Sequence, residues 1–220
     1  MTMKTREEII SCIGIGYIEP ILTLYKELIS HKYSGKSKFK VSLIENGYSV
    51  SIITLSVLTI ESALNRIRYL EKSKQENLEF FKNKFNDKRL YDKLAEIYVI
   101  RDLVVHNHIW RIRYTFDETY NETKIYQKLL DGYGSKRGKS GDWKYNNYVN
   151  KRTKTTKNLK LNVNPIKLGT NDVKIVLNVL KELFEFFDTK NLSYFSMRNH
   201  HFEFNGDFKK FSDIVDEINS

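Results

Sequence analysis

Cysteine is almost missing from this chain, with Cys12 alone among 220 residues. That excludes a disulfide framework and any zinc site built on cysteines, and it suits a reducing compartment. Proline occurs only twice, beside many Lys, Asn, Ile and Tyr, a residue bias like that of an AT-rich genome, which says nothing about fold. The N-terminal "MTMKTREEII" is charged and leads into no cleavable apolar segment, so no secretory signal is read there. Long apolar runs are also lacking. The most apolar one, "VSIITLSVLTI" (Val50–Ile60), is too short to span a bilayer. Internal repeats at solenoid periods are absent, as are acidic clusters with the spacing of a two-metal nuclease. A soluble, cytoplasmic protein without membrane association is expected, and 220 residues suffice for one domain with a sizeable core.

What the chain has in excess is positive charge. The formal net charge is +10, which points to a polyanionic partner, most simply nucleic acid. Between Gly132 and Lys160 nine basic residues face one acid, Asp142, so this segment's 9 − 1 = +8 accounts for most of the excess. Lys136, Arg137, Lys139, Lys144, Lys151 and Arg152 alternate there with Tyr133, Trp143, Tyr145 and Tyr148. Phosphate attraction combined with base stacking grips single-stranded RNA without strict sequence readout. A solvated loop whose tyrosines pack on neighbouring structure has the same composition. "GYGSKRGKS" (Gly132–Ser140) is not a P-loop, because the glycine required five residues before Gly138 is Tyr133.

Apolar periodicity predicts helices over Ile9–Ser30, Leu43–Glu71, Lys74–Phe85, Lys88–His108 and Val173–Phe187. Asp87 is placed to cap the fourth, and Asn171 or Asp172 the fifth. A further helix is expected in "DFKKFSDIVDEI". Between Trp110 and Leu168 the helical period disappears. "IWRIRYTF", "DWKYNNYV" and "NLKLNVN" read as short strands, with a short helix near Lys124–Leu130. The expected architecture is mainly α: one domain over 1–220, with 111–168 a basic, partly β insertion between the fourth helix and the last core helix.

The end of the fourth helix carries chemistry. "IRDLVVHNHIW" (Ile100–Trp110) sets Arg101, Asp102, His106 and His108 in an apolar run. On a helix Asp102 and His106 share a face, and Arg101 and His108 align two turns apart. Arginine can hold a phosphate bidentately, histidine exchanges a proton near neutral pH, and aspartate can fix an imidazole tautomer. An ordinary helix-surface ion pair and a core histidine fit the same spacing. Glu61, inside the apolar helix "SVLTIESALN", faces three alternatives: pairing with Arg101 across helices, pairing with nearby Arg66 or a lysine, or the solvent edge. His200 and His201 are adjacent, so on a strand they would point to opposite faces and make a poor metal site.

"RDLVVHN" (Arg101–Asn107) resembles the signature of the HEPN superfamily: an arginine, a polar residue directly after it, and a histidine with four to six residues between. The helix "SIITLSVLTIESALNRI" (Ser51–Ile67) resembles the helix packed beside the motif helix in that family, and Val173–Phe187 its closing helix. The resemblance covers about residues 9–110 and 170–190. It implies an α-helical bundle, a homodimer whose two motif helices line one cleft, and a metal-independent endoribonuclease needing no cofactor. The resemblance further implies cleavage by attack of the RNA 2′-OH on the adjacent phosphate, with His106 as general acid or base. Arg101 would hold the scissile phosphate, and Asp102 would orient the histidine or the arginine. His108, six residues past Arg101, is an alternative or auxiliary histidine. It also stands where some family members carry a tyrosine that a partner enzyme modifies, so that control is not expected here. The family implies a toxin or anti-phage abortive-infection effector, with an antitoxin or other regulatory protein as a possible partner. A non-catalytic nucleic-acid-binding or partner-docking module is the competing expectation.

Overall fold

The computed structural model describes residues 13–31, 40–106, 108–118, 122–130, 142–190, 192 and 199–220. Within them the chain is mainly helical, with seven α-helices and three separate two-stranded antiparallel sheets. A 3-10 turn at Gly14–Tyr17 leads into α1 (Ile18–Ser30), whose Ile18, Ile21, Leu22, Tyr25 and Leu28 form one buried stripe. Gly14 is required by close approach. Its N–H donates to Ser62 Oγ at 3.0 Å, and a Cβ there would lie 2.9 Å from Ser62 Cβ.

Helix α2 (Leu43–Leu70) is the longest element. Ser42 caps it by accepting the Glu45 N–H at 3.1 Å. It packs against α1, α3 (Asn77–Phe85), α4 (Lys88–Val105) and α6 (Thr170–Thr189), burying residues from Ile52 to Ile67. It continues past Val50–Ile60 at both ends, so by length and composition it could cross a membrane. In this fold Ile52, Ile53, Val57, Ile60, Leu64 and Ile67 are buried within the helical core. Asp87 caps α4 by accepting the Leu90 N–H at 2.9 Å, and α4 is then buried almost all round from Leu94 to Ile100. A helix apolar on every side belongs at the centre of a bundle. One polar residue, Glu96, lies in that buried run and is fully enclosed.

Helix α6 starts at Thr170, with Gly169 rather than Asn171 or Asp172 in the capping position. Asp172 reaches back from the first turn and accepts the Gly169 N–H at 3.1 Å and the Asn162 N–H at 2.9 Å. The chain ends in α7 (Phe211–Asn219), packed on α6 through an apolar face that includes Phe211, Ile214 and Val215.

The region between α4 and α6 departs from the expected pattern in several places. Strand β1 (Trp110–Phe116) forms as expected, but Glu122–Leu129 is strand β2, antiparallel to it, and not a helix. Pairing with the adjacent strand β1 overrides the helix propensity of Glu, Lys, Gln and Leu. "DWKYNNY" is helix α5 (Asp142–Tyr148), which buries Tyr145 and, just beyond it, Val149 at a spacing of four. Strands β3 (Val149–Asn150) and β4 (Thr155–Thr156) are only two residues each. "NLKLNVN" contributes an isolated bridge, Thr155 to Asn162, instead of a strand. Leu161, Val163 and Leu168 nevertheless belong to the same core as the helices. Near the C-terminus, β5 (His201–Phe204) and β6 (Asp207–Lys210) form a hairpin, so the helix expected over "DFKKFSDIVDEI" begins only at Phe211. Its turn is Asn205–Gly206, both at positive φ, the two-residue connection that matches strand twist.

Candidate functional site

The C-terminal half of α4 and the facing turns of α2, α3 and α5 enclose a cleft of about 590 Å³, with Glu61, Asn77, Tyr98, Arg101, Trp143 and Lys144 on its walls. Tyr98, Arg101 and Asp102 follow at i, i+3 and i+4 on α4 and therefore share a face. Arg101 Nη2 donates to Glu61 Oε1 at 2.8 Å, and Nη1 lies 3.0 Å from Asp102 Oδ1. Asp102 Oδ2 is in turn 3.8 Å from Lys144 Nζ on α5. The result is a row of alternating charges, Glu61–Arg101–Asp102–Lys144, that sums to zero.

Tyr98 lies beneath the row. Its ring centroid is 5.4 Å from the Arg101 guanidinium carbon and 5.5 Å from Lys144 Nζ, so two cations flank one aromatic ring. Burial, reinforced by the Glu61 carboxylate, pushes the Tyr98 hydroxyl well above the ordinary tyrosine range. It is therefore a neutral phenol at any physiological pH. Arginine carries five N–H donors, and the two carboxylates occupy two of them. Arg101 Nε is buried without a hydrogen-bond partner among the described residues.

The two histidines stand beyond the helix. Helix α4 ends at Val105, with His106 as its exposed C-cap, its backbone N–H donating to Asp102 O at 3.1 Å. His108 therefore does not continue the helix, and the two-turn alignment of Arg101 with His108 does not form. His108 N–H instead donates to Leu103 O at 3.3 Å, folding the chain back on the helix end. The imidazoles of His106 and His108 meet edge to face with centroids 6.1 Å apart. The Asp102 carboxylate is turned to Arg101 and Lys144.

The basic residues expected to hold RNA fall into three groups. Lys136, Arg137 and Lys139 lie outside the described residues, as do Tyr133 and Cys12. Lys144 joins the charge row, and Trp143, 45% exposed, stands at the cleft rim. Lys151 donates to Asn146 Oδ1 at 2.6 Å and Arg152 is exposed, both on the turn beyond α5. A second hollow of about 380 Å³ shares Lys82, Tyr91 and Trp143 with the cleft and extends it past Tyr148. Aromatic faces thus lead away from Arg101 along α4. His200 and His201 are exposed at the start of β5, and among the described residues no group of three His, Cys, Asp or Glu could hold a metal.

Two residues of this region are not singled out by the sequence. Tyr98 sits one turn before Arg101, a spacing that could have flagged it. Glu96 gives no local signal. It accepts Asn158 N–H at 2.8 Å and Asn158 Nδ2–H at 2.9 Å on Oε1, and Leu159 N–H at 2.8 Å on Oε2. Those bonds fasten the basic turn after α5 onto the helix that carries Arg101.

Comparison of the chain with family models, curated proteins and solved structures returns no match.

Proposed function

We propose that the protein is a HEPN-like, metal-independent endoribonuclease acting as a homodimer. The supporting observation is that α4 presents Arg101 on a cleft wall and, just past its end, the exposed His106 imidazole packed against the half-buried His108. In this reading His106 or His108 removes the proton from a ribose 2′-OH, and the 2′-oxygen attacks the adjacent phosphorus. The bond to the 5′-oxygen breaks, that oxygen takes up a proton, and a 2′,3′-cyclic phosphate and a 5′-hydroxyl remain. Arg101 offsets charge on the phosphoryl oxygens with its remaining donors. Glu61 and Asp102 fix the guanidinium, and Glu61 acts as a positioning residue. The biological role that goes with this chemistry is a cytoplasmic toxin or anti-phage effector, held in check by an antitoxin or another regulatory protein.

The test is cleavage of a generic single-stranded RNA with EDTA present. Wild type is expected to cut, and Arg101→Ala and His106→Ala to cut about 10²–10³-fold more slowly, as when one transition-state donor is lost. Failure of wild type to cut, or cutting by both variants as fast as by wild type, removes the catalytic reading.

One observation favours a second reading, a nucleic-acid-binding module without chemistry: both terminal nitrogens of Arg101 are already engaged by carboxylates. That reading predicts salt-dependent RNA binding that survives loss of both Arg101 and His106.

A further inference from the structure

The β1–β2 ribbon is two-faced. Trp110, Ile112, Tyr114 and Phe116 alternate on one side of β1, while Arg111 and Arg113 lie on the other. The register sets Trp110 opposite Leu129, Arg111 opposite Lys128, Ile112 opposite Gln127 and Arg113 opposite Tyr126. At its root the first face turns inward. Trp110 and Leu129 pack against the core, and Asn164 Nδ2 donates to Gln127 Oε1 at 3.0 Å. The second face is therefore directed to solvent, and Arg111, Arg113, Tyr126 and Lys128 are all exposed.

This face is unusual in its pairing. Like charges directly opposite across two strands repel and destabilise the pair, yet Arg111 stands against Lys128. Among the described residues no carboxylate pairs with Arg111, Arg113 or Lys128. The described acids of the connecting turn, Asp117 and Glu118, follow the far end of β1, away from the root. A like-charge cross-strand pair without a counter-ion is what a bound anion would stabilise. Arg111 and Arg113 are two strand residues apart, about 6.8 Å along β1, which suits neighbouring phosphates of an extended strand. Tyr126 adds a stacking surface for a base beside Arg113. The face is also continuous with the candidate site. Leu130 N–H donates to Ile109 O at 2.8 Å, closing the ribbon's root directly after His106 and His108.

We propose that the Arg111–Arg113–Lys128–Tyr126 face of the β1–β2 ribbon is a binding track for the phosphate backbone of single-stranded RNA leading to the end of α4. The track rests on the reading of RNA as substrate, but it is a binding claim and stands apart from cleavage. The test uses the full chain carrying His106→Ala, in EDTA, with a fluorescein-labelled 20-nucleotide RNA followed by anisotropy from 50 to 200 mM salt. Adding Arg111→Gln, Arg113→Gln and Lys128→Gln is expected to reduce the log–log salt slope by about 2, at about 0.7 for each phosphate no longer neutralised. The loss of affinity is then about 16-fold greater at 50 mM than at 200 mM salt. A second variant, Arg111→Glu/Arg113→Glu, sets a carboxylate against Lys128. It is expected to keep or raise the thermal midpoint while weakening RNA binding further. An unchanged slope in the first variant, with its thermal midpoint retained, overturns the track. Equal binding of polyglutamate by the parent chain, lost equally in the variants, also overturns it, because the surface would then read charge alone. Cleavage failing in wild type while the slope still changes sinks the nuclease and leaves the track standing.

Discussion

Replacing Glu96 tests whether the basic turn is part of the folded bundle or a loop laid over it. The carboxylate is fully enclosed on α4 and accepts three N–H bonds at 2.8–2.9 Å from Asn158 and Leu159. A hydrogen bond to a charged group contributes about 1.5–3 kcal/mol net, so simple addition would give roughly 5–9 kcal/mol. That sum is too large, because Asn158 is exposed and its freed donors can return to water. Glu96→Ala is therefore expected to cost about 3–4 kcal/mol. For a domain of this size that lowers the thermal midpoint by roughly 6–16 °C. Glu96→Gln keeps one oxygen to accept from Asn158 but turns an amide N–H₂ toward the Leu159 N–H, and should cost about 1–3 kcal/mol. Urea unfolding with a constant m-value gives the ordering wild type > Gln > Ala. Amide exchange at Leu159 should accelerate in both variants. If both unfold within about 0.5 kcal/mol of wild type, or Leu159 exchange is unchanged, the turn is not held by Glu96 and its docking on α4 is wrong.

Two further outcomes follow from the buried carboxylates and the charge row. Burial raises the Asp172 carboxyl above its ordinary value, against lowering by hydrogen bonds from Asn162 and Gly169. A carboxyl raised in the folded state contributes stability that is present at acid pH and lost as pH rises through the folded value. The stability of wild type relative to Asp172→Asn should therefore be larger near about pH 4 than at pH 7, and an unchanged or reversed difference in urea midpoints contradicts it. Glu61→Gln leaves the Arg101 row with one net positive charge. Because both side chains are about a quarter exposed, stability should fall by less than about 1 kcal/mol, while single-stranded RNA binds about 2–5-fold tighter at low salt. Binding that is unchanged or weaker would show that Glu61 does not compete for Arg101.

Where a segment is long and its period unambiguous, local sequence is enough. Helices α1, α2, α4 and α6 and the Asp87 cap are read from side-chain spacing, because burial of one stripe is a local pattern. Short segments defeat that reading because two periods fit them. "DWKYNNYV" alternates well enough for a strand, yet burial of Tyr145 and Val149 selects the helix. Lys124–Leu130 has helix-forming residues, and only its pairing with β1 decides otherwise. The β5–β6 hairpin is legible after the fact, since Asn205–Gly206 is a strong turn signal. The site divides the same way. Arg101, Asp102 and His106 form a local motif, but Glu61 meets Arg101 across 40 residues, and the local pattern leaves that pairing as one of three alternatives. Spacing places His108 on the helix because nothing in "VVHNHIW" marks the end of α4 at Val105.

The ribbon imposes a parity rule on its own length. Because it is anchored at the root and its side chains alternate between two faces as far as the register shift at Thr115–Phe116, one residue added to each strand beyond Trp110 and Leu129 would exchange those faces. Arg111 and Arg113 would then lie on the side where Trp110 is half-buried, and Ile112 and Tyr114 would lie on the other. Two residues added to each strand restore the arrangement and move its tip outward by about 7 Å. The reach of this arm can thus change only in steps of two residues per strand, and insertions of odd size invert its chemistry while leaving its hydrogen-bonded ladder intact.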